Sequence, residues 1–328
     1  MIISRTPFRV SFFGGGTDFP EYYREHGGAV LATGIDKYCY LSVHSLGPFF
    51  KHRIRVSYAQ TETVTRPDEI RHPLVRECLD LLGLDAGMEI NHVADLPGRT
   101  GLGTSSSFTV GLLHALHAFR GEAPAPAQLA EEAIVVERER VGDAGGHQDQ
   151  YAAAFGGLCR FDFTAGGITA RPIRMDSARR EALSERLLLF FTGVESSAEQ
   201  ILQEQKKNTA RNLPALREMR AMVDHAERLL TGSPELDAFG RLLHAAWIQK
   251  RSLSSGISNA AIDDAYDAAL RAGALGGKLL GAGGRGFLLL YADPSAQSAL
   301  RAALRGLTEI PFRFSEEGSR IIFRSPES

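Results

Sequence analysis

Apolar and polar positions change period several times along the 328-residue chain. Residues 2–13 alternate with β-branched and aromatic side chains, which predicts a strand, and Gly14-Gly15-Gly16 stops it. Residues 28–46 read as a strand pair or one long bent strand, and 53–58 and 88–93 as shorter strands. HPLVRECLDLLG, 72–83, carries its apolar residues at helical spacing and ends on Gly83. Phe108, Leu112, Leu116 and Phe119 recur at the same spacing and predict a helix after a glycine-rich segment, 96–107. A loop at 121–127 precedes a second helix over roughly 127–141. Residues 157–192 read as strands, 195–272 as almost wholly helical, and 276–324 as strand, strand, helix, strand, strand. Strands do not alternate strictly with helices, so the class is α+β. The shift in character near 165–185 divides the chain into expected domains 1–175 and 176–328.

Composition narrows the function classes. Apolar residues make up 44% and charged residues 23%, ordinary for a globular chain, and the net charge is −2. Without a basic excess or stripe, nucleic acid is not an expected partner, although a local basic pocket could still take a small anion. The N-terminus reads as a strand and no apolar run reaches the length of a membrane span, so no membrane partner and a cytoplasmic location are expected. Cys39, Cys78 and Cys159 fall on apolar faces and read as reduced core residues, not as a disulfide or zinc framework. His114 and His117 lie three apart on one helix with no third ligand nearby, and read as surface or packing residues.

The densest chemical signal is Pro97-Gly98-Arg99-Thr100-Gly101-Leu102-Gly103-Thr104-Ser105-Ser106-Ser107, set between a strand and a helix. Glycines let the backbone approach a ligand closely, and free N–H groups at a helix start favour anions. Hydroxyls at 104–107 could cap the helix or meet a phosphate-bound Mg²⁺. No Gly-Lys-Ser/Thr follows the glycines, which excludes a Walker A loop, and the spacing does not fit a dinucleotide fingerprint.

The segment resembles the P-x-x-x-G-L-G-S-S phosphate loop of the GHMP kinases, with Thr104 where Ser is commoner. Pro7 through Asp18 (PFRVSFFGGGTD) is similar to the first motif of that family, and Gly276 through Gly286 (GGKLLGAGGRG) to its third. The resemblance implies an N-terminal domain like the second domain of ribosomal protein S5 and a ferredoxin-like C-terminal domain. It also implies ATP and Mg²⁺, with phosphates on the 97–107 loop. Asp149 matches the family carboxylate opposite the γ-phosphate, expected to orient the acceptor hydroxyl or take its proton. Arg9 matches the first-motif arginine, expected to pair with Asp149 and offset charge on the transferring group. Glu137, twelve residues before Asp149, matches a helix glutamate of galactokinase-like enzymes that helps hold Mg²⁺, with Ser105 or Ser106 supplying a hydroxyl. As a bare residue it could equally be one charge on a solvated helix face.

TPFRVSFFGGGTDFPEYYREHGGAV, HPLVRECL and AWIQKRSLSSGISN closely resemble the D-glycero-D-manno-heptose 7-phosphate kinases within this family. Those enzymes phosphorylate an anomeric hydroxyl and give the 1,7-bisphosphate. Gly15, Gly16, Thr17 and Asp18 then become candidate sugar contacts, the carboxylate accepting two hydroxyl hydrogen bonds. A sugar phosphate needs a second basic pocket, for which Lys37, Lys250, Arg251 and Arg285 are candidates, Lys250 and Arg251 foremost. A kinase for a fucose-, arabinose- or galactose-like sugar is the nearest alternative, and a silent sugar or nucleotide sensor on the same fold a more distant one. Oligomeric state stays open, a homodimer included.

Overall fold

The computed structural model describes residues 1–85, 87–193, 198–232 and 235–325. Strand β1 (Ile2–Phe13) leads through α1 (Pro20–His26) to β2 (Gly28–Ser45), one continuous strand where a pair was left open. β3 (Ile54–Ser57), β4 (Thr61–Val64), α2 (Pro73–Leu81) and β5 (Met88–Ala94) follow. Next come α3 (Thr104–Phe119), α4 (Pro126–Ile134) and α5 (Gln148–Phe155), then the hairpin of β6 (Leu158–Thr164) and β7 (Gly167–Pro172). The remaining chain forms α6 (Ser177–Glu185), β8 (Leu187–Phe191), α7 (Ala198–Lys207), α8 (Leu213–Gly232), α9 (Asp237–Ser252) and α10 (Ala260–Arg271). It ends in β9 (Ala274–Leu279), β10 (Phe287–Ala292), α11 (Gln297–Ala303), β11 (Thr308–Glu309), β12 (Phe314–Ser315) and β13 (Arg320–Arg324). The α+β class holds. Of the helical stretch expected from residue 195, positions 195–197 lie outside the described residues.

Two sheets organise the molecule. The larger runs β13-β1-β2-β5-β3-β4, with β12 and β6 also on β2, and β7 on β6. Its strands are antiparallel except for the β3–β5 pair. The smaller sheet, β11-β8-β10-β9, is antiparallel throughout. β2 shows why alternation blurs in the sequence: residues 28–35 are all buried, and burial alternates only from Tyr38 to Val43.

Several stretches depart from expectation. No element was expected at α1, β4 or α5, three short strands follow α11 where two were expected, and residues 157–192 are not all strand, because α6 interrupts them. Asp176 caps that helix by accepting from the Arg179 N–H at 2.7 Å, and Arg179 in turn donates to the Leu229 and Leu230 carbonyls of α8. The chain changes sheet between Pro172 and Leu187, and β12 and β13 then return to the larger sheet on β2 and β1. Phe239 of α9 meets Phe12 and Phe13 of β1 edge-on, with ring centroids 5.4 and 5.1 Å apart, so the two sheets share one core. All three cysteines are buried and free.

Candidate active site

A cavity of about 560 Å³ lies where the sheets meet, within the usual range for a small-molecule site. Its lining includes Gly101, Gly103, Thr104, Ser105 and Ser106 of the glycine-rich segment together with Gly15, Gly16, Asp18, Lys250 and Lys278.

The glycine-rich segments build it by crossing. Gly101 sits at φ 80°, and a Cβ there would come within 2.6 Å of the Leu280 carbonyl oxygen. A Cβ on Gly281, at φ 70°, would lie 2.4 Å from the Gly101 Cα. Only glycine permits both the backbone angles and this approach. Gly103 opens α3 from the left-handed region, and no side chain caps that helix. The N–H groups of its first turn are therefore left for an anion.

Arg9, on β1 and almost fully buried, aims its guanidinium fork at Asp149 in the first turn of α5. Nε donates to Oδ1 and Nη2 to Oδ2, both at 2.9 Å. Its third corner donates to the Gly101 carbonyl, so one side chain ties the glycine-rich loop to the carboxylate. Gln148, beside Asp149, accepts from Ser11 Oγ at 2.6 Å. Asp18 is buried and accepts from the Gly16 and Gln148 N–H groups at 2.8 and 3.2 Å. Burial pushes its carboxyl above the usual range, those hydrogen bonds oppose the shift, and Asp149 adds to it. A Cβ on Gly146 would meet Asp18 Oδ2 at 2.0 Å, so a glycine at 146 lets the backbone close on this carboxylate.

Glu137 reaches the cavity from a π-helical turn, Val135–Arg140, that extends α4. Its Oε2 accepts from Ser106 Oγ at 2.8 Å and Gln150 Nε2 at 2.6 Å, while Oε1 is buried without a partner. Burial raises its carboxyl above the ordinary value, opposed first by Arg138. A buried carboxylate oxygen without a partner, beside a serine hydroxyl, is the hard-oxygen donor set that Mg²⁺ takes. The residues present therefore fit that ion.

Other expected site residues divide. Gly15, Gly16, Ser105 and Lys250 line the cavity. Lys250 Nζ donates to the carbonyls of Leu279 and Gly281 and so braces the third motif. Arg251 turns away to Asp263, at 2.8 Å, across Trp247. Lys37 stays on Asp36, and Arg285 packs against Gly193. Thr17 hydrogen-bonds the Gly14 and Ala29 carbonyls, and Ser107 the Pro7 carbonyl. Leu102 is core, and its carbonyl accepts from the Arg9 N–H; Pro97 and Gly98 lie off the lining. His114 meets Ser319, and His117 is held between Glu122 and Glu132. Three lining cations were not singled out from the sequence: Lys278, Arg138 and Arg99. Lys278 lay inside the third motif, where its partner, the Phe12 carbonyl, is 266 positions distant.

An uncapped helix start, a buried arginine–aspartate fork and a partnerless carboxylate in one cavity define a phosphoryl-transferring enzyme. The GHMP kinases N terminal domain model matches residues 73–157, and the GHMP kinases C terminal model residues 227–307. A Campylobacter jejuni protein named D-glycero-alpha-D-manno-heptose 7-phosphate kinase is 30% identical, over 97% of each chain. The chain belongs to the GHMP kinase family. A Bacteroides fragilis L-fucokinase/L-fucose-1-P guanylyltransferase is 28% identical over 93% of the chain, which spans 36% of that protein. The same fold occurs in a D-glycero-D-manno-heptose 1-phosphate kinase from Bacteroides thetaiotaomicron, with TM-score 0.81 and 23% identity over 99% of this chain and 100% of that one. It recurs in the Methanococcus jannaschii mevalonate kinase, with TM-score 0.74 and 20% identity over 95% and 98%.

Proposed function

We propose that this kinase transfers the γ-phosphoryl group of ATP to the anomeric C1 hydroxyl of a sugar phosphate, D-glycero-D-manno-heptose 7-phosphate, to give the 1,7-bisphosphate. The Arg9–Asp149 fork beside the phosphate loop carries the reading. The Campylobacter jejuni relative, matched along nearly its whole length, supports the choice of sugar.

In this reading the first-turn N–H groups of α3 and the 97–107 loop receive the ATP phosphates. Glu137 and Ser106, with Ser105 beside them, hold Mg²⁺, which offsets phosphate charge when bound. Asp18 accepts hydrogen bonds from ring hydroxyls and sets the sugar's orientation. Asp149 accepts the hydrogen bond of the C1 hydroxyl and aligns its oxygen on the γ-phosphorus. As the O–P bond forms and the bond to ADP breaks, the hydroxyl proton passes to Asp149 and then to solvent. Anomeric hydroxyls are more acidic than ordinary alcohols, so a carboxylate suffices. Arg9 fixes the carboxylate's rotamer and neutralises charge close to the transferring group. The substrate's own phosphate falls to the lining lysines, Lys250 and Lys278; Arg251 faces Asp263 instead.

The fucokinase relatives favour a second reading, in which the acceptor is an unphosphorylated sugar. ³¹P NMR of the product separates the two. Transfer to C1 of heptose 7-phosphate gives a new phosphate signal coupled to the anomeric proton. ATP turnover that depends on free fucose and not on the heptose phosphate would establish the second reading. No sugar-dependent turnover at all would leave only a sensor.

A further inference from the structure

Lys278 is buried at the cavity wall, on the strand that brings the second sheet to the first. Its Nζ donates to the Phe12 carbonyl at 2.9 Å, which uses one of an ammonium's three donors. No carboxylate lies within salt-bridge distance of it among the described residues. Three charged groups face it: Lys250 from α9, Arg9 from β1 and, opposing them, Asp18 from the turn after β1. Asp18 accepts from the Gly16 and Gln148 N–H groups and Asp149 is paired with Arg9, so neither is ion-paired to Lys278. A buried ammonium with two cationic neighbours and no paired carboxylate is costly, and the cheaper state is the neutral amine.

We propose that Lys278 is a ligand-gated cation: a neutral amine in the empty cavity, which takes a proton from solvent when an anionic acceptor enters and then donates to that acceptor. The proposal rests on the reading of the acceptor as a sugar phosphate, and it adds the residue that recognises the anion. Burial pushes the Lys278 ammonium well below the usual lysine range, and Lys250 and Arg9 push it the same way. An entering phosphate supplies the negative charge that the cavity lacks there, and reverses the balance. Selectivity follows, because an uncharged sugar meets a neutral amine and gains no charge-assisted hydrogen bond.

With six lysines in the chain, ¹³Cε-lysine NMR can follow this group. In the unliganded protein near neutral pH, one signal should sit at the neutral-amine position and be missing from Lys278→Met. Saturating heptose 7-phosphate, or orthophosphate as a second anion, should move that signal to the ammonium position. An ordinary ammonium signal for Lys278 in the empty protein overturns the proposal, as does a neutral signal that neither anion shifts. Lys278→Met should also raise the KM for the sugar phosphate by about 10-fold or more while the KM for ATP stays within about twofold, as for a lost charged hydrogen bond. Wild-type protein that turns over no sugar phosphate would defeat the acceptor reading instead, and orthophosphate would still decide the fate of Lys278.

Discussion

Asp149 reaches the cavity with both oxygens gripped by Arg9, so removing its charge should alter chemistry far more than binding. Asp149→Asn is expected to lower kcat by at least about 10²-fold, the low end for a positioned acid–base group, with the KM for ATP nearly unchanged. Near-wild-type turnover in a folded variant would remove Asp149 from the reaction. Glu137 acts on a different term. Its Oε1 has no protein partner, so Glu137→Gln should raise the Mg²⁺ concentration for half-maximal rate by about 10-fold or more, the scale of altered metal-site contacts. A Mg²⁺ requirement that does not move would return Glu137 to a packing role. Arg9, Asp18 and Asp149 could be read from motif position, because their spacing in sequence survives as geometry. Lys250 and Arg251 could not be told apart that way. Adjacent helical residues point about 100° apart, so only one of the two can face the cavity.

Helix α3 is held at both ends. Its start meets the glycine-rich loop, and near its end His117 is buried between Glu122, 2.6 Å from Nδ1, and Glu132 of α4, 2.7 Å from Nε2. Ionised carboxylates only accept, so this pair of contacts favours the ring with protons on both nitrogens, the imidazolium. The hydrogen bond to Glu132, and then that to Glu122, raises the His117 pKa above the ordinary histidine value, against burial. A folded-state pKa above the unfolded one gives stability that is fully present below the unfolded value and is lost as pH rises through the folded one. His117→Gln should therefore lower Tm more at pH 6 than at pH 9. An equal drop at both would show that the clamp carries no charge. The sequence offered His114 and His117 as an i, i+3 pair, yet the partners that define His117 come from the next loop and helix. The α6 helix was missed for a related reason. Only Leu183 of its nine residues is buried, so hydrophobic period carries almost no signal, and the Asp176 cap was the one local cue.

At the scale of the whole molecule the cavity exists because two sheets meet. Lys278 reaches from β9 to the Phe12 carbonyl, Phe239 packs on Phe12 and Phe13, and the two glycine loops touch at Gly101 and Gly281. Composition and period show two kinds of chain on either side of 165–185, but not this join. Nor do they show that β12 and β13 return to the larger sheet, since pairing across some 300 positions leaves no local trace. The join places the cationic residues Lys250 and Lys278 in the same cavity as Asp18 and the Arg9–Asp149 fork. That arrangement suits an acceptor bearing its own phosphate, which would gain a charge-assisted hydrogen bond there that a neutral sugar would not. The decisive measurement is kcat/KM for heptose 7-phosphate beside free heptose, mannose and fucose under one ATP·Mg²⁺ condition. The account predicts a preference of about 10²-fold or more for the phosphorylated sugar, which is about 3 kcal/mol of transition-state discrimination. Comparable values for any of the free sugars would contradict it.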